Sequence, residues 1–304
     1  MGSATTMPAT SMTLDESYAY CTELAHTHYE NFPVGRLVPA GLARHIHAVY
    51  AFARHTDDLA DEGYASAHDF GEAGLRTFQP TQEERLAALK KWEADLLNPP
   101  TADDSPILIA VRNTIRELDL PLSLFTDLLS AFKQDVVKRR YANFAEVIDY
   151  CRRSANPVGR LVLLLHGVRE ERLHELADHI CTALQLANFW QDVAVDLKKD
   201  RIYLPENERE SHGVSEKSLF ALEADAAYRS LLKFQVDRTQ EIFDQGKPLT
   251  KELRGKLRVE IRMTWLGGTT ILRKIEALDY DTLNQRPKLG KVEMAMLLAK
   301  ALVS

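Results

Sequence analysis

Apolar residues recur at spacings of three and four along almost all of this 304-residue chain, and that period commits it to helices. The runs are "LARHIHAVYAFARHTDDLADE", "RLAALKKWEADLL", "ILIAVRNTIREL", "LFTDLLSAFKQDVVKRR", "LADHICTALQLANFWQDVAVDLKK" and "YRSLLKFQVDRTQEIFDQG". Helix breakers fall between them: Pro80, Pro99 and Pro100, Pro121, Pro157, Pro205, Gly213, Gly246 to Pro248, and Pro287. Strand-like alternation is scarce, and only "RIYLP" at Arg201 to Pro205 reads as extended. No low-complexity segment or long linker divides the chain. The expectation is one all-α domain.

Composition narrows the function. With 45% hydrophobic and 27% charged residues the chain can bury a large core. A net charge of −6 without a sustained basic stripe argues against a nucleic-acid partner. Cys21, Cys151 and Cys181 are odd in number and widely spaced, which suits reduced thiols in the cytoplasm rather than disulfides or zinc. Residues 1–14 carry no charged side chain, no basic n-region and no long apolar core. They read as a disordered tail before a domain spanning 15–304. The longest body stretch free of Asp, Glu, Lys and Arg is His179 to Gln191, 13 residues, against the ~20 of a membrane span. The expectation is a soluble protein that touches a membrane, if at all, from one side.

Two helices carry acids in an unusual order. In "YAFARHTDDLADE", Asp57 and Asp61 are four apart, as are Asp58 and Glu62, so each pair shares a ridge. In "NFWQDVAVDLKKDRIYLP", Asn188, Asp192 and Asp196 follow at i, i+4 and i+8. Like charges at i, i+4 cost an isolated helix a few tenths of a kcal/mol, and a cation removes that cost. Mg²⁺ suits such ridges, taking one or two carboxylates plus waters and substrate phosphates. Either ridge alone also fits a solvated acidic face. The company argues otherwise: Tyr50, Arg54 and Phe52 lie just upstream of the first, and Gln185, Phe189 and Trp190 flank the second.

"VYAFARHTDDLADEG" followed 135 positions later (Asp57 to Asp192) by "QLANFWQDVAVDLKKDRIYLP" resembles the squalene and phytoene synthase family, over nearly the whole chain from about Tyr18. Within that family, "ENFPVGRLVP" (Glu30 to Pro39), "YCRRSANPVGRLVL" (Tyr150 to Leu163) and "NFWQDVAVD" are most similar to its hopanoid-pathway hydroxysqualene synthase branch. The resemblance implies a single isoprenoid-synthase helical domain around a central cavity. It also implies two or three Mg²⁺ ions held between facing aspartate helices, with Asp57 and Asp61 on one wall and Asn188, Asp192 and Asp196 on the other. Metals so placed stabilise the charge that develops on departing pyrophosphate. Arg201 and Tyr203, with Arg54 and Tyr50, would grip the remaining phosphate oxygens, for which a planar guanidinium is suited. Lys198 and Lys199 read as solvated.

Gln185 and Tyr150 match positions lining the family's reaction channel, and a buried role satisfied by the backbone is open for both. The apolar run Leu161 to Val168 is by default core, with a prenyl tunnel as the alternative. "KRRY" (Lys138 to Tyr141) resembles a family segment near the diphosphate, but a helix C-terminus favours cations anyway. The histidines, His45, His47 and His55 included, show no metal-ligand spacing. The family ends its reaction with hydride, proton loss or water. No Gly-x-Gly occurs, so a nicotinamide fingerprint is absent, although squalene synthases also lack it. Where the family commonly reads Val-Ala-Gly, this chain has Ser154, Ala155, Asn156 and Pro157. Ser154 and Asn156 either orient a water or cap the next helix. The resemblance therefore implies Mg²⁺-dependent conversion of presqualene diphosphate and water to hydroxysqualene, without a nicotinamide cofactor. Implied partners are the prenyl diphosphate, other squalene-pathway enzymes and the inner membrane face. The alternatives are a head-to-head condensing synthase using farnesyl or geranylgeranyl diphosphate, and a non-catalytic helical scaffold.

Overall fold

The structure, a computed structural model, describes residues 12–28, 40–61, 80–101 and 103–303, without the side chains of Ala40 and Asp61. Most of the expected tail, the segment Glu30 to Pro39, Glu62 and the Asp61 carboxylate therefore lie outside the described residues. The chain is all-α, and its contacts gather into two compact units that meet at Pro121 and Leu122 in sequence.

The first unit holds α1 (Leu14–His28), α2 (Ala40–Asp61), α3 (Gln82–Leu97) and α4 (Pro106–Glu117). α2 buries Ala48, Ala51, Phe52, Leu59 and Ala60 against the other three, and this small-residue stripe lets the neighbours approach closely. Trp92 of α3 stacks on Phe52 with centroids 5.9 Å apart, and its indole donates to Thr56 at 3.1 Å. Tyr18, His45 and Thr114 tie α1, α2 and α4 together through contacts of 2.9 to 3.2 Å. Burial lowers the His45 pKa, which suits a neutral ring in that structural triad. Helix starts follow side-chain chemistry: Thr81 and Glu84 form a reciprocal capping box on α3, and Ser105 followed by Pro106 opens α4.

The second unit contains α5 (Leu122–Val137), α6 (Phe144–Ser154), α7 (Asn156–Leu165), α8 (Glu171–Gln191), α9 (Val193–Lys198), α10 (Glu206–Ser211), α11 (Glu216–Phe220), α12 (Ala226–Gly246), α13 (Leu249–Glu252), α14 (Gly255–Ala277) and α15 (Lys291–Val303). α8 is its axis, packed against α6, α7, α12 and α14. The 13-residue uncharged run forms the C-terminal part of this helix, where Ile180, Ala183, Leu186, Ala187, Phe189 and Trp190 are all buried. Two glycines permit the close approach. A Cβ on Gly159 of α7 would stand 2.5 Å from the Cys181 sulfur, and one on Gly246 of α12 would stand 2.6 Å from Ile180. The run Leu161 to Leu165 is mostly core, with Leu161, Leu163, Leu164 and Leu165 buried. The three cysteines are free thiols.

"RIYLP" is extended, as its pattern indicates. Asp200 takes the left-handed conformation (φ 55°), a turn that Asp tolerates, and ends the helical stretch after α9. The chain then pairs Ile202 with Arg140 in an isolated parallel bridge, with Ile202 N–H donating to the Arg139 carbonyl at 2.9 Å.

Candidate active site

Asn188, Asp192 and Asp196 do not lie on one continuous helix. α8 ends at Gln191, Asp192 leaves the helical region (φ −107°, ψ 15°), and α9 starts at Val193. The i, i+4 register survives the break. Asp192 N–H donates to the Asn188 carbonyl and Asp196 N–H to the Asp192 carbonyl, both at 2.9 Å. The three side chains therefore still form a ridge, and the Asn188 amide donates to Asp192 Oδ2 at 3.3 Å.

Charge on this ridge is unevenly balanced. Burial, followed by the charge of Asp192, pushes the Asp196 carboxyl up to about 7, while Arg201, Lys199 and Arg286 pull it down. A cavity of about 10 Å³, room for about one water, adjoins Asp196, Arg201 and Tyr203. Asp192 is held by Arg286, whose Nε donates to Oδ1 at 2.5 Å and Nη2 to Oδ2 at 2.8 Å. Two interacting carboxylates and an amide, already drawing a cation, form the oxygen-rich donor set that Mg²⁺ takes. Among the described residues, no three His, Cys, Asp or Glu side chains cluster closely enough to hold an ion by themselves.

The segment after the ridge folds back onto it. Arg201 Nη2 donates to the Asp135 carbonyl at 2.9 Å. Tyr203 is buried, stacked on Phe189 with centroids 3.6 Å apart and planes 9° apart, with Tyr141 on it at 5.4 Å. Tyr150 donates to Asp135 Oδ2 at 2.7 Å, and burial together with the Asp135 charge raises its phenol well above the ordinary value. Tyr150 is therefore buried and satisfied by a carboxylate rather than by the backbone. Gln185 is half-buried one turn before Asn188. Lys198 and Lys199 are exposed, as expected. Arg139 and Arg140 of "KRRY" bind the Lys199 carbonyl, Asp200 and Glu216, so they brace the turn.

Ser154 and Asn156 do not cap α7, which has no side-chain cap. Asn156 instead accepts from Thr182 of α8 at 2.8 Å, and Pro157 supplies the first-turn residue. The Ser154 hydroxyl is buried and has no hydrogen-bond partner among the described residues.

On the first ridge, Arg54 reaches Asp58 at 2.5 Å and Asp57 at 3.7 Å. The Asp57 side chain is 44% exposed. Tyr50 is half-buried one turn earlier. His55 lies off this ridge, against Trp92 at 4.4 Å, with its pKa lowered mainly by burial. It borders a groove of about 510 Å³ lined by Asp95, Asp103 and Asp104, of which Asp95 pairs with Lys91 and Asp104 with Arg112.

Sequence reasoning passed over Asp135, Gln191 and Arg286. Gln191 donates to the Pro287 carbonyl at 2.6 Å, bringing the segment before α15 against the end of α8.

Comparison with known proteins agrees with this architecture. The squalene/phytoene synthase family profile matches residues 13–293. A hydroxysqualene synthase from Rhodopseudomonas palustris is 30% identical over 88% of this chain and 86% of its own length. The chloroplastic phytoene synthase of Narcissus pseudonarcissus is 29% identical over 97% of this chain and 68% of its own. The crystal structure of a squalene synthase, HpnC, from Alicyclobacillus acidocaldarius superposes with a TM-score of 0.76 at 35% identity, covering 89% of this chain and 97% of that one. The chain belongs to the squalene/phytoene synthase family.

Proposed function

We propose that this enzyme converts presqualene diphosphate and water to hydroxysqualene and pyrophosphate, with Mg²⁺ and without a nicotinamide cofactor. The observation that carries the metal dependence is the Asn188–Asp192–Asp196 ridge, whose Asp192 carboxylate already holds the Arg286 cation. Asp57 and Asp61 are proposed as metal ligands from the first ridge. Bound Mg²⁺ supplies neutralisation of the pyrophosphate charge.

This chain's residues do the rest. The carbon–oxygen bond to the diphosphate breaks, and its electron pair leaves with pyrophosphate. Arg201, Arg54, Tyr50 and Tyr203 are proposed to bind phosphate oxygens. Gln185 and Tyr150 are proposed to line the hydrocarbon's path. After rearrangement of the cation, a water oxygen bonds to carbon and releases a proton to solvent or pyrophosphate. Ser154, with a buried hydroxyl that no group among the described residues satisfies, is the proposed group that orients the water, since such a hydroxyl both donates and accepts. Asn156 supports it by fixing the start of α7 against α8.

A second reading, head-to-head condensation of two prenyl diphosphates, is favoured by the 29% identity to the daffodil phytoene synthase. Pyrophosphate release separates the two. Release from presqualene diphosphate but not from farnesyl or geranylgeranyl diphosphate supports hydroxysqualene formation; efficient release from farnesyl or geranylgeranyl diphosphate alone supports condensation.

The product is a hydrocarbon alcohol, and each CH₂ moved into water costs ~0.8 kcal/mol, so the enzyme gains from working at a lipid surface. Among the described residues no helix is long and apolar enough to cross a membrane. α15 instead exposes Val292, Met296, Leu298, Leu302 and Val303 while burying Leu297 and Ala301. Arg262 joins its Ala301 carbonyl (3.2 Å) to that of Thr250 (2.8 Å), placing this end of α15 beside the turn with exposed Lys251, Arg254 and Lys256. An apolar face rimmed by cations fits an anionic lipid surface, which α15 is proposed to contact peripherally.

A further inference from the structure

Resting on the metal-site reading of Asp192, we propose that Arg286 is the resident cation of the second ridge, held by Asp192 until a divalent ion displaces it. Arg286 thereby sets the metal affinity of that ridge.

The geometry is competitive. Arg286 takes both oxygens of Asp192 through Nε and Nη2, the bidentate arrangement that a guanidinium makes best. A metal ion bound to the same carboxylate would stand beside a full positive charge in a partly buried place, where screening is weak. One cation therefore excludes the other or weakens it. The Asp192 side chain is 14% exposed and that of Arg286 41%, so the guanidinium has a route into solvent.

The backbone around Arg286 is fixed on both sides. Asn284 is held by Asp281 and donates to the Leu222 carbonyl at 3.3 Å. The Pro287 carbonyl accepts from Gln191 at 2.6 Å, and the Lys288 carbonyl accepts from Lys274 at 2.7 Å. Displacement is thus a side-chain movement, with the segment staying anchored. In the metal-free protein Arg286 relieves the repulsion between Asp192 and Asp196, and it is one of the charges that pull the Asp196 carboxyl downward. The arrangement makes loading of the ridge an exchange of cations rather than an addition.

The test is Mn²⁺ binding, read from the free-ion paramagnetic resonance signal, with and without inorganic pyrophosphate and with no prenyl substrate. Wild type is compared with Arg286→Gln, Arg286→Ala, Arg286→Lys and Asp192→Ala. Loss of the competing charge should tighten Mn²⁺ binding about fivefold in Arg286→Gln and Arg286→Ala, about 1 kcal/mol. Arg286→Lys, which keeps the charge, should remain closest to wild type. Binding unchanged or weakened in both neutral variants, while Asp192→Ala loses it, would overturn the role of Arg286 and leave the metal site standing. Full Mn²⁺ binding by Asp192→Ala would overturn both.

Discussion

The Tyr150 phenol donates a 2.7 Å hydrogen bond to the Asp135 carboxylate, and both side chains are buried in the second unit. Removing one partner alone leaves the other under-satisfied, which costs about 1–3 kcal/mol. Tyr150→Phe and Asp135→Leu should each destabilise the protein, and the double variant should cost less than their sum by about 1–2 kcal/mol. Urea unfolding of the four proteins measures that coupling. Additivity to within about 0.5 kcal/mol would contradict it.

Asp57→Ala and Asp192→Ala should each lower turnover by at least about a thousandfold with helix content unchanged. The Asp57 side chain is partly exposed, and Asp192→Ala frees an Arg286 that solvent already reaches. Neither change opens a core cavity, so circular dichroism should stay constant while the rate falls. Near wild-type activity of either variant at saturating Mg²⁺ would remove that residue from the site.

Asp196 makes the metal-free protein sensitive to pH. Its folded pKa of about 7 lies above that of an unfolded aspartate, so it contributes stability at low pH that is lost as pH rises through about 7. Asp196→Asn removes the cost of ionising a buried carboxyl. In chelator-treated protein the variant should melt several degrees above wild type at pH 8, and the difference should close below about pH 4. A gap that stays constant from pH 4 to pH 8 would contradict this linkage.

For α15, Val292→Glu/Met296→Glu should weaken sedimentation with phosphatidylglycerol vesicles about tenfold or more. Neutral phosphatidylcholine vesicles should bind wild type more weakly than the anionic ones. Equal sedimentation of wild type and variant, or a concentration-dependent dimer that the variant abolishes, would replace the lipid with another surface or a second copy.

The helices were legible because burial imposes a period: α8 is announced by the uncharged run His179 to Gln191 between Asp178 and Asp192. The extended "RIYLP" was legible from its alternation. The break at Asp192 was not, because the i, i+4 hydrogen bonds persist through it and the residue spacing stays helical. Asp135 hid in an amphipathic helix, where one acid beside Lys133 and Lys138 reads as surface. Arg286 lies 94 positions from Asp192, so no local pattern could pair them. Ser154 and Asn156 were suited by type to cap α7; Asn156 is used by Thr182 instead, a tertiary choice that propensity does not encode.

The source of the product's oxygen tests the central proposal most directly. Enzyme, Mg²⁺ and presqualene diphosphate are incubated in ¹⁸O-labelled water, with and without NADPH, and the lipid product is weighed by mass spectrometry. Capture of the cation by water predicts an alcohol carrying one ¹⁸O, formed equally under both conditions. Squalene appearing only with NADPH, or an unlabelled hydrocarbon formed by proton loss, would contradict the account.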